Sequence, residues 1–140
     1  MITYEAQAAI EFEALLDENI SDAYEFDLSE GETIEFNASN LIQAVAEDVL
    51  AQISVAKISA KFNNAVADLI LRLALIFRER KKLNRVALSG GCFQNVALLR
   101  ASLRRLREND FEVFTHRQVP PNDGGLALGQ AVIASKLSEN

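Results

Sequence analysis

Apolar positions along the chain change period several times, and each change marks an element. Residues 5–18 carry Ala8, Phe12, Leu15 and Leu16 at helical spacing, with Glu11, Glu13 and Asp17 on other faces, which predicts an amphipathic helix. Residues 23–28 and 33–36 alternate with period two and predict a β-hairpin. Its turn, Ser29-Glu30-Gly31-Glu32, is expected to use Gly31 at positive φ, with Tyr24, Phe26 and Leu28 facing inward. Asn40 and Gln43 have the spacing of a capping box before a helix bearing Ile42, Val45, Val49 and Ile53. A second long helical pattern runs from Phe62 to Phe77 and ends in Arg78, Arg80, Lys81 and Lys82, bases that suit the negative end of a helix dipole. Then come a short strand (85–88), the turn Ser89-Gly90-Gly91, a helix of about 93–108 with Arg100, Arg104, Arg105 and Arg107 outward, and a strand at 111–114. The β-α-β order from 85 to 114 implies two parallel strands with a right-handed crossover. A rigid loop, Val119-Pro120-Pro121-Asn122-Asp123-Gly124-Gly125, leads into a last helix.

The expected fold is α/β, with a mixed sheet of hairpin plus parallel strands and about five helices, in a single domain covering residues 1–140. In such sheets ligands bind beyond the carboxyl ends of the strands, and both glycine turns are expected at that edge. An amphipathic helix starting at the fifth residue, after apolar Ile2 and Tyr4, suggests a piece of a longer protein.

Charge adds a constraint. The net charge of −6 argues against general nucleic-acid binding. Residues 1–57 contain 13 acids and one base, whereas residues 58–140 contain 7 acids and 13 bases. The division reads as a solvated acidic face and a solvated basic face, the latter able to favour an anion near the glycine turns. A single cysteine, Cys92, rules out an internal disulfide framework and fits a reduced cytoplasmic setting. No apolar run approaches a membrane span, and the first residues, Met1 to Glu5, lack the pattern of a signal peptide.

The candidate chemistry lies in the two glycine turns. Gly90 and Gly91 let a ligand approach the backbone where a helix opens, and the N–H groups of an opening helix attract phosphate. The turn matches neither a P-loop nor the dinucleotide fingerprint. Asp123 is either a helix cap, with Asn122, or a hard oxygen ligand for a metal. His116 and Cys92 are the only residues of their types, so no metal cluster is evident. His116 reads as structural, bonded to backbone, and Cys92 as a small buried residue.

Two segments carry more information than their spacing. Val86-Ala87-Leu88-Ser89-Gly90-Gly91-Cys92-Phe93-Gln94-Asn95 and the run from His116 to Ala131, with Pro120-Pro121-Asn122-Asp123-Gly124-Gly125 at its centre, closely resemble the C-terminal region of the HypF family of hydrogenase-maturation carbamoyltransferases. The opening Tyr4-Glu5-Ala6-Gln7-Ala8-Ala9-Ile10-Glu11 is similar to a third family segment.

The resemblance implies the second lobe of a Kae1-like domain with the actin-like ATPase (ribonuclease H-like) fold, at the C-terminal end of a larger carbamoyltransferase. Such an enzyme moves a carbamoyl group from carbamoyl phosphate, with ATP and through carbamoyl adenylate, to the C-terminal cysteine of a HypE-type partner, for the cyanide ligands of [NiFe]-hydrogenase. By motif, Gly90 and Gly91 would approach the nucleotide phosphates, Asn95 would contact the nucleotide, and Asp123 would bind a divalent metal completed by histidines outside these residues. Two positions depart from the family pattern: Cys92 replaces a valine, which favours packing, and Ala6 replaces a glycine. The resemblance further implies a catalytically inactive fragment, the N-terminal domains of the same polypeptide as partners, and a homodimer of the fragment covering the exposed half-interface. Two other readings are a tRNA threonylcarbamoyl-transfer relative, against which Phe93-Gln94 and the Pro120-Pro121-Asn122-Asp123 loop argue, and a non-catalytic interaction domain docking through its acidic half.

Overall fold

A computed structural model describes residues 3–138, so Met1 and Ile2 of the expected N-terminal reading lie outside the described residues. In chain order the elements are α1 (Gln7–Ala14), β1 (Asp27–Glu30), β2 (Ile34–Asn37), α2 (Ser39–Leu50), α3 (Val55–Lys81), β3 (Arg85–Leu88), α4 (Val96–Glu108), β4 (Glu112–Thr115) and α5 (Leu126–Ser138). Short 3-10 turns, Gly91–Gln94 and Asp123–Gly125, precede α4 and α5. The α/β class and five helices agree with the sequence pattern.

The long helix α3 organises the rest. Ser54 caps it by accepting from the Lys57 N–H, and Lys82 ends it in the left-handed conformation after a basic last turn. One core cluster, Tyr24, Leu41, Ile58 and Ala65, lies toward its start. A second, Leu88, Leu106 and Phe111, packs with Ile70, Leu71, Ala74 and Leu75 farther along it. The face opposite that second cluster holds the hairpin: Arg72 donates to the Phe26 carbonyl (3.2 Å), and Arg80 donates to the Gly31 carbonyl (2.9 Å) and pairs with Glu30. At about 100° per residue, Arg72 and Arg80 project away from the Ile70–Leu75 stripe. The hairpin and the parallel pair therefore form two separate two-stranded sheets instead of sharing one mixed ladder, because they attach to different faces of α3.

Several boundaries differ from the pattern-based expectations. The first hairpin strand starts at Asp27, not Ala23, and residues 23–26 join no ladder. Tyr24 is spent on the core instead: its hydroxyl donates to Asp48 (2.7 Å) and Lys61 lies over its ring while pairing with Asp48 (2.6 Å). Hydrogen bonds from Lys61 and then Tyr24 hold the Asp48 carboxyl below its usual range, and burial, followed by the bond to Asp48, pushes the Tyr24 phenol up. Gly31 is not at positive φ. The capping box does not form: Asn40 reaches back to Asp27 (2.7 Å), Gln43 pairs with Glu47, and Asn37 accepts from the Ser39 N–H. α1 is shorter than expected, and Ala6 before it sits at φ 58°. On α4, Arg105 turns inward to pair with Asp68 rather than joining the solvated face. No described helix is long and apolar enough to cross a membrane.

Candidate functional site

β3 and β4 pair in parallel, Arg85 opposite Glu112 through Leu88 opposite Thr115. Both chains leave the sheet at the same edge, and the next residues meet at once. Ser89 Oγ and His116 Nε2 are 2.8 Å apart. The Gly90 N–H donates to the Pro121 carbonyl at 2.9 Å. A Cβ on Gly91 would lie 3.9 Å from the Asn122 side chain. The two glycine turns, expected at one edge, are joined there by a direct backbone bond.

Backbone requirements explain the residue choice. Gly90 has φ 107° and ψ 158°, a region that side-chain-bearing residues essentially do not occupy. A Cβ at Gly125 would lie 3.0 Å from the Pro120 carbonyl oxygen, so a side chain there would push the Pro-Pro loop back by a few tenths of an ångström. Asn122 accepts from the Gly124 N–H at 3.1 Å and caps the second turn. Asp123 is then released from capping: it is exposed, and its carboxylate makes no hydrogen bond or ion pair among the described residues.

The start of α4 corrects one expectation. Its N–H groups do not wait for a phosphate. The Val96 and Ala97 N–H groups donate to Glu13 Oε1 of α1, at 2.7 and 3.2 Å. The Leu98 N–H donates to Asn95 Oδ1 (2.7 Å), and the Asn95 N–H to the Cys92 carbonyl (3.2 Å). All four donors left over at a helix start are used. In the 3-10 turn just before, the Gly91 and Cys92 N–H groups have no partner among the described residues.

Asn95 is likewise engaged. Besides capping α4, its amide donates to Asn63 Oδ1 at 3.0 Å, and Asn63 is buried within α3. Cys92 is exposed, contrary to the packing role expected for it. In its turn Phe93 is the side chain that packs on the core cluster, which leaves Cys92 at the rim. His116 bonds to a side chain, not to backbone. Sequence reasoning missed both Glu13 and the Ser89–His116 pair. The pair carried a signal, since each residue directly follows a strand of the same β-α-β unit; Glu13 lies 83 residues from its partner and carried none.

Two cavities, of about 250 and 470 Å³, lie elsewhere: one is lined by Asn63, Asn64, Ala97, Arg100 and Arg104, the other by Tyr24, Phe26, Asp68 and Arg72. Neither includes a residue of the glycine turns. Ser89, Gly91, Cys92 and Asp123 are exposed, so this edge is an open wall.

Comparison with known proteins decides the family. The profile described as carbamoyltransferase, Kae1-like domain, second subdomain, matches residues 1–130. This chain belongs to the HypF carbamoyltransferase family. It is 33% identical over 131 residues to the carbamoyltransferase HypF of Synechocystis sp., covering 92% of this chain and 16% of that protein. It is 34% identical over 137 residues to HypF of Rhizobium leguminosarum bv. viciae, covering 98% of this chain and 17% of that one. A crystal structure of full-length HypF in a phosphate- and nucleotide-bound form superposes with a TM-score of 0.93 at 38% identity, over 99% of this chain and 18% of that one. HypF of T. kodakarensis superposes with a TM-score of 0.76 at 26% identity, over 97% of this chain and 17% of that one. The chain thus spans about a sixth of the length of these HypF proteins.

Proposed function

We propose that this chain is the second lobe of a nucleotide site in a cytoplasmic HypF carbamoyltransferase. Its parent protein moves the carbamoyl group of carbamoyl phosphate, with ATP and through carbamoyl adenylate, to the C-terminal cysteine of a HypE-type protein. The observation carrying this reading is the Gly90 N–H to Pro121 carbonyl bond, which brings both glycine turns to one sheet edge. There the unpaired N–H groups of Gly91 and Cys92 suit phosphate oxygens, and Gly90 and Gly91 present no side chain to obstruct them.

In this reading the chain's residues have separate tasks. Gly90 and Gly91 admit the phosphates. Asn95 holds the turn against α3 and α4, leaving one amide hydrogen and one lone pair for the nucleotide. Asp123 fits a divalent metal as an exposed, unpaired carboxylate, yet no group of three potential ligands exists among the described residues. The remaining ligands then come from the N-terminal lobe. When bound, the metal supplies positive charge to phosphate oxygens.

α5 supports the view that other walls are missing. None of its side chains is buried; Leu126, Leu128, Val132, Ile133 and Leu137 are all exposed. A helix this apolar needs cover. The N-terminal part of the same polypeptide supplies it in the parent protein, and a second copy does so in the isolated chain.

Calorimetric titration with AMP and ATP tests the reading, first on the 140 residues and then with the N-terminal lobe restored. Binding is expected to tighten with the restored lobe, and carbamoyl-phosphate-dependent ATP turnover is expected only in the longer protein. No nucleotide binding in either form would overturn it, and turnover by the 140 residues alone would refute the half-site.

A further inference from the structure

We propose that Glu13 is a specificity-determining residue of this edge: it fills the anion-binding end of α4 from within, and so confines an incoming phosphate to the Gly91 and Cys92 N–H groups. The choice of those two donors rests on the nucleotide reading; the exclusion from α4 does not.

A helix of 13 residues presents the equivalent of about half a positive charge at its N-terminus, and α4 begins immediately after the glycine turn. Left open, the Val96 and Ala97 N–H groups would be the strongest phosphate donors at the edge. Glu13 Oε1 takes both. The carboxylate neutralises the helix end and adds a negative charge that repels a second anion.

The carboxylate is also held in place. The Phe12 carbonyl, next in the chain to Glu13, accepts from Ser59 Oγ at 2.6 Å. The Ser59 carbonyl accepts from Asn63 Nδ2 (2.9 Å), and Asn63 Oδ1 accepts from Asn95 Nδ2 (3.0 Å). Asn95 caps α4, whose first N–H groups return to Glu13. The result is a closed ring of hydrogen bonds through α1, α3 and α4, with Ser59 fully buried and Asn63 nearly so. Phe12 meets Phe62 edge-on at 5.9 Å, which anchors the same point of α1. A phosphate displacing Glu13 would have to break this ring.

Inorganic phosphate, followed through backbone amide shifts of the 140-residue chain, tests the assignment. In the wild type, phosphate is expected to move the Gly91 and Cys92 amides and leave Val96 and Ala97 in place. In Glu13→Ala it is expected to move Val96 and Ala97 and to bind about fivefold more tightly, the equivalent of about 1 kcal/mol of helix-end attraction. Glu13→Gln keeps a neutral acceptor on both N–H groups and carries the test if the alanine variant does not fold; a smaller gain in the same direction is expected. A merely structural Glu13 would lower stability with no gain in phosphate affinity, and that result overturns the proposal, as does phosphate on Val96 and Ala97 in the wild type. Phosphate that is silent in the wild type but captured by α4 in the variants would overturn the assignment to Gly91 and Cys92 while leaving the exclusion by Glu13 intact; the nucleotide reading itself is decided by the titration with the N-terminal lobe restored.

Discussion

Asn95 is the position where stability and ligand chemistry are most easily confused, and a short mutational series separates them. Asn95→Ala deletes two bonds of different kinds. Loss of the cap on the Leu98 N–H costs about 1 kcal/mol. Loss of the donor to Asn63 leaves an acceptor stranded on a residue that is 5% exposed, at about 1–3 kcal/mol. The sum is about 2–4 kcal/mol, a large part of the stability of a domain this size. Asn95→Ser retains a capping oxygen and cannot reach Asn63, so it should cost only the second term. Asn63→Ala removes the stranded acceptor, so the double variant Asn63→Ala/Asn95→Ala should lose less than the two single variants together, with a coupling of about 1 kcal/mol or more. Urea unfolding of the four proteins, read at constant m-value, supplies the cycle. A cost below about 0.5 kcal/mol for Asn95→Ala, or strict additivity with Asn63→Ala, would refute the ring of hydrogen bonds as a determinant of stability.

Three further outcomes follow from named contacts. Ala6→Gly should stabilise the chain by about 0.5–1 kcal/mol in the same urea assay, because relief of φ 58° outweighs the added freedom of the unfolded chain; destabilisation would contradict the strain. Asp48 has a folded pKa below its unfolded value, so its stabilising contribution is complete above about pH 4 and lost as pH falls through the folded value; Asp48→Asn should flatten the acid limb of a stability-versus-pH curve, and an unchanged limb would count against the Tyr24–Asp48–Lys61 cluster. Gly90→Ala should cost about 1–3 kcal/mol from its φ of 107°, and should abolish nucleotide binding at concentrations where the variant is still folded; retained binding would move the ligand away from this turn.

Legibility of the fold followed the range of each interaction. β3 and its parallel partner were readable because β-α-β order fixes both direction and edge through local connectivity. The hairpin was readable as a hairpin, but its start was not. The alternation of residues 23–28 records which side chains are buried, and Tyr24 is buried against Leu41, Ile58 and Ala65, not against a strand partner. The separation of the strands into two sheets depends on Arg72 and Arg80 holding the hairpin from 46 and 49 residues away, through backbone carbonyls that carry no sequence signature. The misread capping box has the same origin: Asn40 has a local partner by spacing and a better one in Asp27, 13 residues back.

The candidate site divides along the same line. Glycines report backbone demands, so Gly90, Gly91 and Gly125 were visible from sequence, and the structure supplies the reasons in a φ of 107° and a carbonyl 3.0 Å from an absent Cβ. The chemistry assigned to them depended on which donors remain free, and that depends on Glu13. A helix start next to a glycine turn looks like a phosphate site because sequence shows the donors and not their partners. Once Glu13 and Asn95 have used the first N–H groups of α4, the free pair at Gly91 and Cys92 belongs to the loop, not the helix. A ligand held there sits nearer Pro121 and Asn122 than the helix axis would place it. Asp123 follows those two residues on the same loop, so the internal cap would draw the proposed anion site toward the carboxylate proposed to hold the metal.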